Sequence, residues 1–348
     1  MHNDKIINYL NSAIERRIFP GCAVGWIVGG EENIVTAGRH TYDDDAPVVT
    51  ETTLFDCASV TKSIPVSTLA MRMIERGELR LSDRLIDYVP EYRGSFRNEI
   101  LIRHLLTHTL DFDFRLSEYK DLPPEKLVDA ILSVKMKSAP GEKFCYANAT
   151  SILLGMALET ITVKPLHVSA QEEFFDPLGM NDTTFFPSDD AVANCVPTEI
   201  DPWRNRTIQG EVHDESAWAL RGIMTAGSAG LFSTVPDLLK FVRMLLNGGQ
   251  SFFSPEMVEA MHTNQIPHIS GHCTGLGWEL NQEYMGKTRT SATFGKTGFT
   301  GCAVIIDKTR DMGVVILSNY TYPTRKPNRD LINEVRGGIV DCLNGIIP

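Results

Sequence analysis

Ser59 and Lys62 stand three residues apart at the head of an apolar-periodic run. A helix beginning there puts a hydroxyl and an amine on one face, about one turn apart. A serine hydroxyl is a poor nucleophile until a base removes its proton, and a lysine is such a base only when burial or a neighbouring cation lowers its pKa. Lys296 is a candidate for that second cation. The first turn of a helix also aims free backbone N–H groups and the positive end of the dipole at a reacting carbonyl.

Rarity separates these motifs. A chain of this length contains about one Ser-x-x-Lys by chance, and a second copy does occur at Ser117 and Lys120. Tyr146 and Asn148 form a Tyr-x-Asn, but so do Tyr9 and Asn11. Lys-Thr-Gly is expected only ~0.07 times, and it occurs once, at Lys296, Thr297 and Gly298.

Context adds to the motifs. The segments LFDCASVTKS (54–63), HLLTHT (104–109), YANATSILLG (146–155), DPLGMNDT (176–183), AGLFSTVPDLLKF (229–241), GLGW (275–278) and FGKTGFTG (294–301) follow one another along the chain. In this order they resemble the serine β-lactamase and penicillin-binding protein superfamily, in particular its class C-like branch of esterases, peptidases and β-lactamases. Ser-x-x-Lys and Lys-Thr-Gly are recorded motifs of the wider group. The resemblance implies Ser59 as nucleophile, Lys62 as base or proton shuttle, and Tyr146 as the group that passes a proton to the leaving group. It implies that Asn148 holds a substrate amide and that the backbone N–H groups of Ser59 and Phe299 form the oxyanion hole. Either the lysine or the tyrosinate serves as the acylation base. No segment matches the loop glutamate that class A enzymes use in deacylation. Two departures stand out. Pro65 falls in the second turn of the expected helix, where it removes an N–H and can kink the axis, with a possible displacement of Lys62. Leu110 and Asp111 follow LLTHT, where the family usually has Ser-Gly.

The elements that must position these residues are legible in part. An amphipathic helix over about 4–17 precedes two β-like runs, Cys22–Val28 and Asn33–Arg39, joined through Gly29 and Gly30. Helical periodicity runs from Ser59 to Gly77, which occupies the left-handed position that ends a helix. Helix and loop then continue to about residue 260, punctuated by prolines. Strands return at Phe299–Ile306 and Met312–Ser318, and a closing helix covers Asn328–Leu343. Strands at both ends of the chain with a helical insertion between them imply one antiparallel sheet with the active site at the seam. The fold class is α/β (α+β) of the β-lactamase and transpeptidase type, a central antiparallel sheet flanked by helices. It is read as one domain, with a sheet subdomain over about 1–58 plus 265–348 and a mostly helical one over about 59–264.

Composition narrows the partners. A formal net charge of −11 with no cluster of Lys and Arg argues against nucleic acid. No apolar stretch approaches the ~20 residues of a membrane span, and the start of the sequence lacks a signal peptide's apolar run, so a cytoplasmic protein is expected. Seven scattered cysteines without a CxxC imply neither a disulfide framework nor a zinc site, and most read as small buried hydrophobes. His104 and His108 have the i, i+4 spacing of metal ligands, but without the accompanying glutamate they read as helix histidines bracing the site. His213 and Asp214 read as structural. Trp203, Trp218 and Trp278 line a cleft or fill the core. The expected protein is a cofactor-free serine hydrolase acting on small-molecule or peptide esters or amides, with carboxylic esters, β-lactams and D-residue peptides all open. Its rival is a penicillin-binding or sensor protein of the same fold that does not turn over. The permanent positive charge of Lys296 is expected to favour carboxylate-bearing substrates, such as β-lactams or peptides with a free C-terminus, over matched neutral esters.

Overall fold

The structure is a computed structural model that describes residues 2–113 and 115–345. Its centre is a six-stranded antiparallel sheet with strands β1 (Gly21–Val28), β2 (Glu31–Gly38), β3 (Glu279–Leu280), β4 (Thr293–Thr297), β5 (Ala303–Asp307) and β6 (Met312–Ser318). Their spatial order is β2-β1-β6-β5-β4-β3. The hairpin between β1 and β2 turns on Gly29 and Gly30, with φ of 57° and 82°, values that suit the twist of the flanking strands and that glycine takes without a Cβ penalty. The two ends of the chain meet where β1 pairs with β6, Gly25 opposite Val315.

Five helices frame the sheet and the site: α1 (His2–Glu15), α2 (Thr68–Glu75), α3 (Asn148–Thr162), α4 (Val235–Leu246) and α5 (Asp330–Leu343). Both faces of the sheet are covered, which is why β1 and β6 read as continuous apolar runs instead of alternating ones. Val24, Trp26, Val314 and Ile316 pack with Ile6 and Leu10 of α1 and Ile339 of α5. Their strand neighbours Ala23, Ile27, Val315 and Leu317 join a second cluster with Leu238 and Val242 of α4, and that cluster continues through α2 and α3. Close seating of α4 depends on two strand glycines. A Cβ on Gly25 would lie 2.4 Å from the Val235 side chain, and one on Gly313 would lie 2.1 Å from that of Val242. Each buried aliphatic side chain contributes about 1.5–3 kcal/mol, so this two-sided burial is what holds the seam shut.

Three expectations need correction. The run from Ser59 to Gly77 is not one helix. Ala58–Lys62 forms a 3-10 turn, Ile64 leaves helical space with φ −114° and ψ 111°, and the α-helix starts only at Thr68. Proline disfavours helical geometry in the residue before it, and Ile64 precedes Pro65. Gly77 does take the left-handed position, φ 72°, with Glu78 N–H returning to Met73 O. The middle of the chain is not free of strands, because Phe55–Asp56 pairs with Phe232–Ser233 and Glu199–Asp201 with Arg206–Ile208. These pairs of two or three residues are too short to register as a period in sequence. Finally, the lysine of Lys-Thr-Gly lies on β4, whereas the expected strand at Phe299 begins only at Ala303. All seven cysteines are unpaired, five of them buried. Among the described residues no single helix is long and apolar enough to cross a membrane.

The buried carboxylate of Glu199 ties the Glu199–Asp201 strand to the segment after β6. It accepts from Arg325 Nη2 at 2.6 Å and pairs with His213 Nε2 at 2.9 Å. Burial alone would raise its pKa, but these hydrogen bonds outweigh burial and hold it at about 2, against an ordinary 4.5. A depressed carboxylate stabilises the fold above the unfolded pKa and loses that contribution as pH falls through the folded one. Stability on the order of 3 kcal/mol should therefore disappear between about pH 4.5 and 2. Acid titration of the melting temperature should show a shallower fall in Glu199→Gln than in the wild type; superimposed slopes would remove this role.

Candidate active site

Ser59 lies on the 3-10 turn that follows the Phe55–Asp56 strand. Ala58 holds a left-handed φ of 44°, an unusual backbone for a residue with a Cβ. Several bonds hold it there. Asp56 Oδ1 accepts from Ala58 N–H at 2.7 Å, Thr61 Oγ1 donates to Ala58 O at 2.6 Å, and Cys57 N–H donates to Leu231 O at 2.8 Å. The other Asp56 oxygen accepts from His213 N–H at 2.7 Å. The buried carboxylate of Asp56 thus joins the Ser59 turn to the chain at 213, and His213 is structural, stacked at 5.6 Å on the Phe299 ring.

Lys62 stays beside Ser59 despite the break at Ile64. Its Nζ donates to Ser59 Oγ at 3.0 Å and to Ser228 O at 2.6 Å, and the side chain is buried. Burial lowers the Lys62 pKa first; Tyr146 pulls it up and the Lys296 cation pushes it down, with a net lowering. The ammonium groups of Lys62 and Lys296 lie 5.2 and 4.4 Å from the centre of the Tyr146 ring. Tyr146 therefore sits between the two lysines and beside Ser59, within electrostatic reach of all three. Burial would raise its pKa, yet the two cations outweigh burial and bring it below the ordinary value. The Lys296 pKa moves the other way. Burial opposes the charge, but Glu279 Oε1 accepts from Lys296 Nζ at 2.7 Å and raises the pKa above the ordinary value.

Beyond Lys296, the Lys-Thr-Gly segment brings the end of β4 against the serine turn. Thr297 closes the β4–β5 pairing opposite Ala303. At Gly298 a Cβ would lie 2.3 Å from Cys57 O, so the approach admits no side chain. Phe299 follows in the turn to β5. Among the described residues neither Ser59 N–H nor Phe299 N–H has a protein acceptor. From α5, buried Arg336 clamps this turn from beneath by donating to Gly298 O at 2.9 Å, Cys302 O at 2.8 Å and Gly301 O at 3.3 Å. Asn148 opens α3, and its Nδ2 donates to Asp214 Oδ2 at 2.9 Å. The other Asp214 oxygen caps the 215–220 helix through Ala217 N–H. A cleft of about 730 Å³ opens beside Tyr146 and Asn148, with Asp111 and Lys137 also in its wall.

All the residues singled out in sequence, Ser59, Lys62, Tyr146, Asn148, Lys296, Thr297, Gly298 and Phe299, thus lie around one seam. His104 and His108 do not share a helix face. The helix ends at Leu106, His104 Nδ1 accepts from Leu101 N–H at 3.1 Å, and His108 takes a φ of 52°. At Leu110 and Asp111, where the usual Ser-Gly is missing, the chain turns with Phe112 N–H donating to Leu110 O at 2.9 Å. The imidazole of His108 lies 4.9 Å from the Tyr146 ring, held neutral by burial and the two lysine charges, and its Nδ1 has no partner. Trp278 is core, whereas Trp203 and Trp218 wall a separate pocket with Lys120 of the second Ser-x-x-Lys. Sequence reasoning missed Asp56, Glu279 and Arg336, and it read Asp214 as structural without its bond to Asn148. Only Glu279 carried a signal, as the lone charge directly after GLGW.

A nucleophile-type serine with a buried amine, a phenol of lowered pKa and a second ammonium, set at the seam of a sheet covered on both faces, defines a serine hydrolase. The beta-lactamase family model matches residues 7–337, and the chain belongs to that family. It is 28% identical over 324 residues to the "Putative D-alanyl-D-alanine carboxypeptidase" of Escherichia coli (strain K12), covering 79% of this chain and 72% of that one. In fold it is similar to EstCE1, a hydrolase with promiscuous acyltransferase activity, with a TM-score of 0.79, 21% identity and 98% of both chains covered. It is equally similar to a class C beta-lactamase, with a TM-score of 0.79, 20% identity, and 100% and 97% of the two chains covered.

Gly298→Ala tests the contact between β4 and the serine turn. Moving either backbone away from a 2.3 Å overlap should lower kcat on the order of 100-fold with a native circular dichroism spectrum. Full activity in this variant would show that the approach is incidental.

Proposed function

We propose that the chain hydrolyses ester or amide bonds of small molecules or peptides through an acyl-enzyme on Ser59. The observation that carries this reading is the 3.0 Å contact between Lys62 Nζ and Ser59 Oγ, with burial first and the Lys296 ammonium second lowering the Lys62 pKa from its ordinary value. A neutral Lys62 keeps one N–H on Ser228 O and turns its lone pair to Ser59 O–H. Ser59 Oγ then attacks the substrate carbonyl carbon as its proton passes to Lys62 or to the Tyr146 phenolate. The Ser59 and Phe299 N–H groups receive the developing oxyanion, a contribution worth about 100- to 1,000-fold per donor in comparable sites. Tyr146, which has taken that proton directly or receives it from Lys62, delivers it to the leaving oxygen or nitrogen as the C–O or C–N bond breaks. Water repeats the sequence on the acyl-serine and releases the acid. Asn148, oriented by Asp214, offers its remaining amide capacity to the substrate.

Ser59→Ala should abolish turnover, by at least about 10,000-fold, while Ser117→Ala at the second Ser-x-x-Lys leaves it nearly intact. Intact-mass measurement after exposure to a panel of esters and β-lactams identifies which compounds leave an acyl group on Ser59. Turnover that stops after one stoichiometric burst would favour the sensor reading.

The pH profile follows from the directions of the shifts. Lys62 and Tyr146 both act deprotonated and both have lowered pKa values, so kcat/KM rises with pH and reaches its plateau below 10.5, the ordinary lysine value. Lys296, raised above 10.5, keeps its charge throughout that range. Activity should fall as pH drops and Lys62 takes up a proton. Lys62→Arg should be almost inactive at every pH, because guanidinium does not release its proton. Retention of most of the wild-type rate in Lys62→Arg would make the lysine structural.

A further inference from the structure

Lys296 carries a permanent charge into the site, yet that charge is already answered. Glu279 Oε1 accepts from Lys296 Nζ at 2.7 Å, and Glu279 Oε2 accepts from Tyr284 O–H at 2.9 Å, so both carboxylate oxygens are engaged. The sheet builds this arrangement. Glu279 on β3 lies opposite Gly295 on β4, one residue before Lys296. The absence of a side chain on Gly295 leaves room for the Tyr284 hydroxyl, which would lie 3.2 Å from a Cβ there. Lys296 is almost fully buried and the Glu279 side chain is 24% exposed, so water and salt screen the pair only partly.

We propose that Glu279 is a specificity-determining residue: its carboxylate occupies the Lys296 ammonium and repels a second carboxylate. The site therefore takes substrates that are uncharged beside the scissile carbonyl, neutral esters and amides, over matched substrates with a free carboxylate there. This deepens the Ser59 hydrolase reading and rests on it. Read without its partner, Lys296 predicts the opposite preference. An incoming carboxylate meets attraction from Lys296 and repulsion from Glu279 at similar range, and it must give up its hydration to enter. Lys62 is committed to Ser59 Oγ and Ser228 O instead of to the substrate's charge.

The test is kcat/KM for a chromogenic ester offered as a free acid and as its methyl ester. The wild type should favour the methyl ester by about tenfold or more, and Glu279→Gln should move the ratio toward the acid by about tenfold, chiefly through the KM of the acid. Glutamine keeps an acceptor for Tyr284. Any change it causes in the acidity of Lys62 or Tyr146 acts on both substrates alike, so the ratio and not the rate is the readout. Adding Lys296→Gln to Glu279→Gln should erase the gain, because the freed ammonium is its source. A wild type that prefers the acid overturns the proposal whatever the stability of the variants, and so does an unchanged ratio in a folded Glu279→Gln. Turnover of the methyl ester that disappears in Ser59→Ala supports the hydrolase reading independently of the ratio. If neither ester is turned over, that reading fails and this one falls with it.

Discussion

Two lysine side chains, Lys62 and Lys296, lie buried against one tyrosine, and the surrounding structure answers the cost of placing like charges together. Such a pair in a protein interior repels by a few kcal/mol, on the order of 4 at an effective dielectric of 20 and 4 Å. The two ammonium groups are treated differently. Lys296 receives a carboxylate partner at 2.7 Å, whereas Lys62 receives a carbonyl and a hydroxyl. The two pKa values part accordingly, that of Lys296 raised and that of Lys62 lowered from the ordinary lysine value. Environments that drive paired titratable groups apart in pKa are how a site assigns acid and base roles. Tyr146, with the two ammonium groups 5.2 and 4.4 Å from its ring centre, feels each of them, which is why its pKa falls although burial opposes ionisation.

That division depends on distant parts of the chain meeting at the seam. Lys62 comes from the turn after Asp56, Tyr146 from the start of α3, Lys296 from β4 and Glu279 from β3. The position of β4 relative to the serine turn is set by Gly298 against Cys57 O, and the turn beyond it by the Arg336 guanidinium on three carbonyls. Thr300 Oγ1 adds a bond to Asp56 O at 2.6 Å, so the segment bearing Phe299 and the segment bearing Ser59 are joined directly. Two N–H groups aimed at one oxyanion need that rigidity, since their effect depends on arriving preorganised.

How much of this was legible in sequence follows from the range of each interaction. Ser59 with Lys62 and the Lys-Thr-Gly run are local patterns, and the Gly29–Gly30 hairpin with its apolar strands is nearly so. Glu279 and Lys296 are 17 residues apart, and only the β3–β4 register makes them neighbours. Arg336 lies 38 residues beyond Gly298, on a helix whose apolar periodicity hides a buried cation. The carboxylate preference expected from Lys296 was drawn without its Glu279 partner for this reason. The motif supplied a charge, and the partner that changes its meaning lay outside the motif. His104 and His108 went astray differently, because a spacing argument presumes that the helix continues and here it stops at Leu106.

Pro65 shows how a local pattern can mislead about an element and still be right about the side chains. Apolar periodicity continues across the proline, so the run reads as one helix, yet the backbone leaves helical space at Ile64. A break of this kind strands carbonyl oxygens that an unbroken helix would satisfy. Hydroxyls help to take them up. Ser67 Oγ donates to Lys62 O at 2.7 Å, and Thr68 Oγ1 joins the Thr68 backbone N–H in donating to Pro65 O, at 2.9 Å, and to Ser63 O, at 3.1 Å. Ser63 Oγ in turn reaches Gly277 O at 2.6 Å, in the GLGW segment just before Glu279. Ser59 and Lys62 are aligned by the 3-10 turn that holds both, in which side chains three apart eclipse, and this net of hydroxyl bonds and Ser228 O keep that turn in place. The same net ties the backbone of Lys62 to the strand that carries the counter-ion of Lys296, so the two lysines are placed relative to one another by bonds that pass outside the catalytic groups themselves.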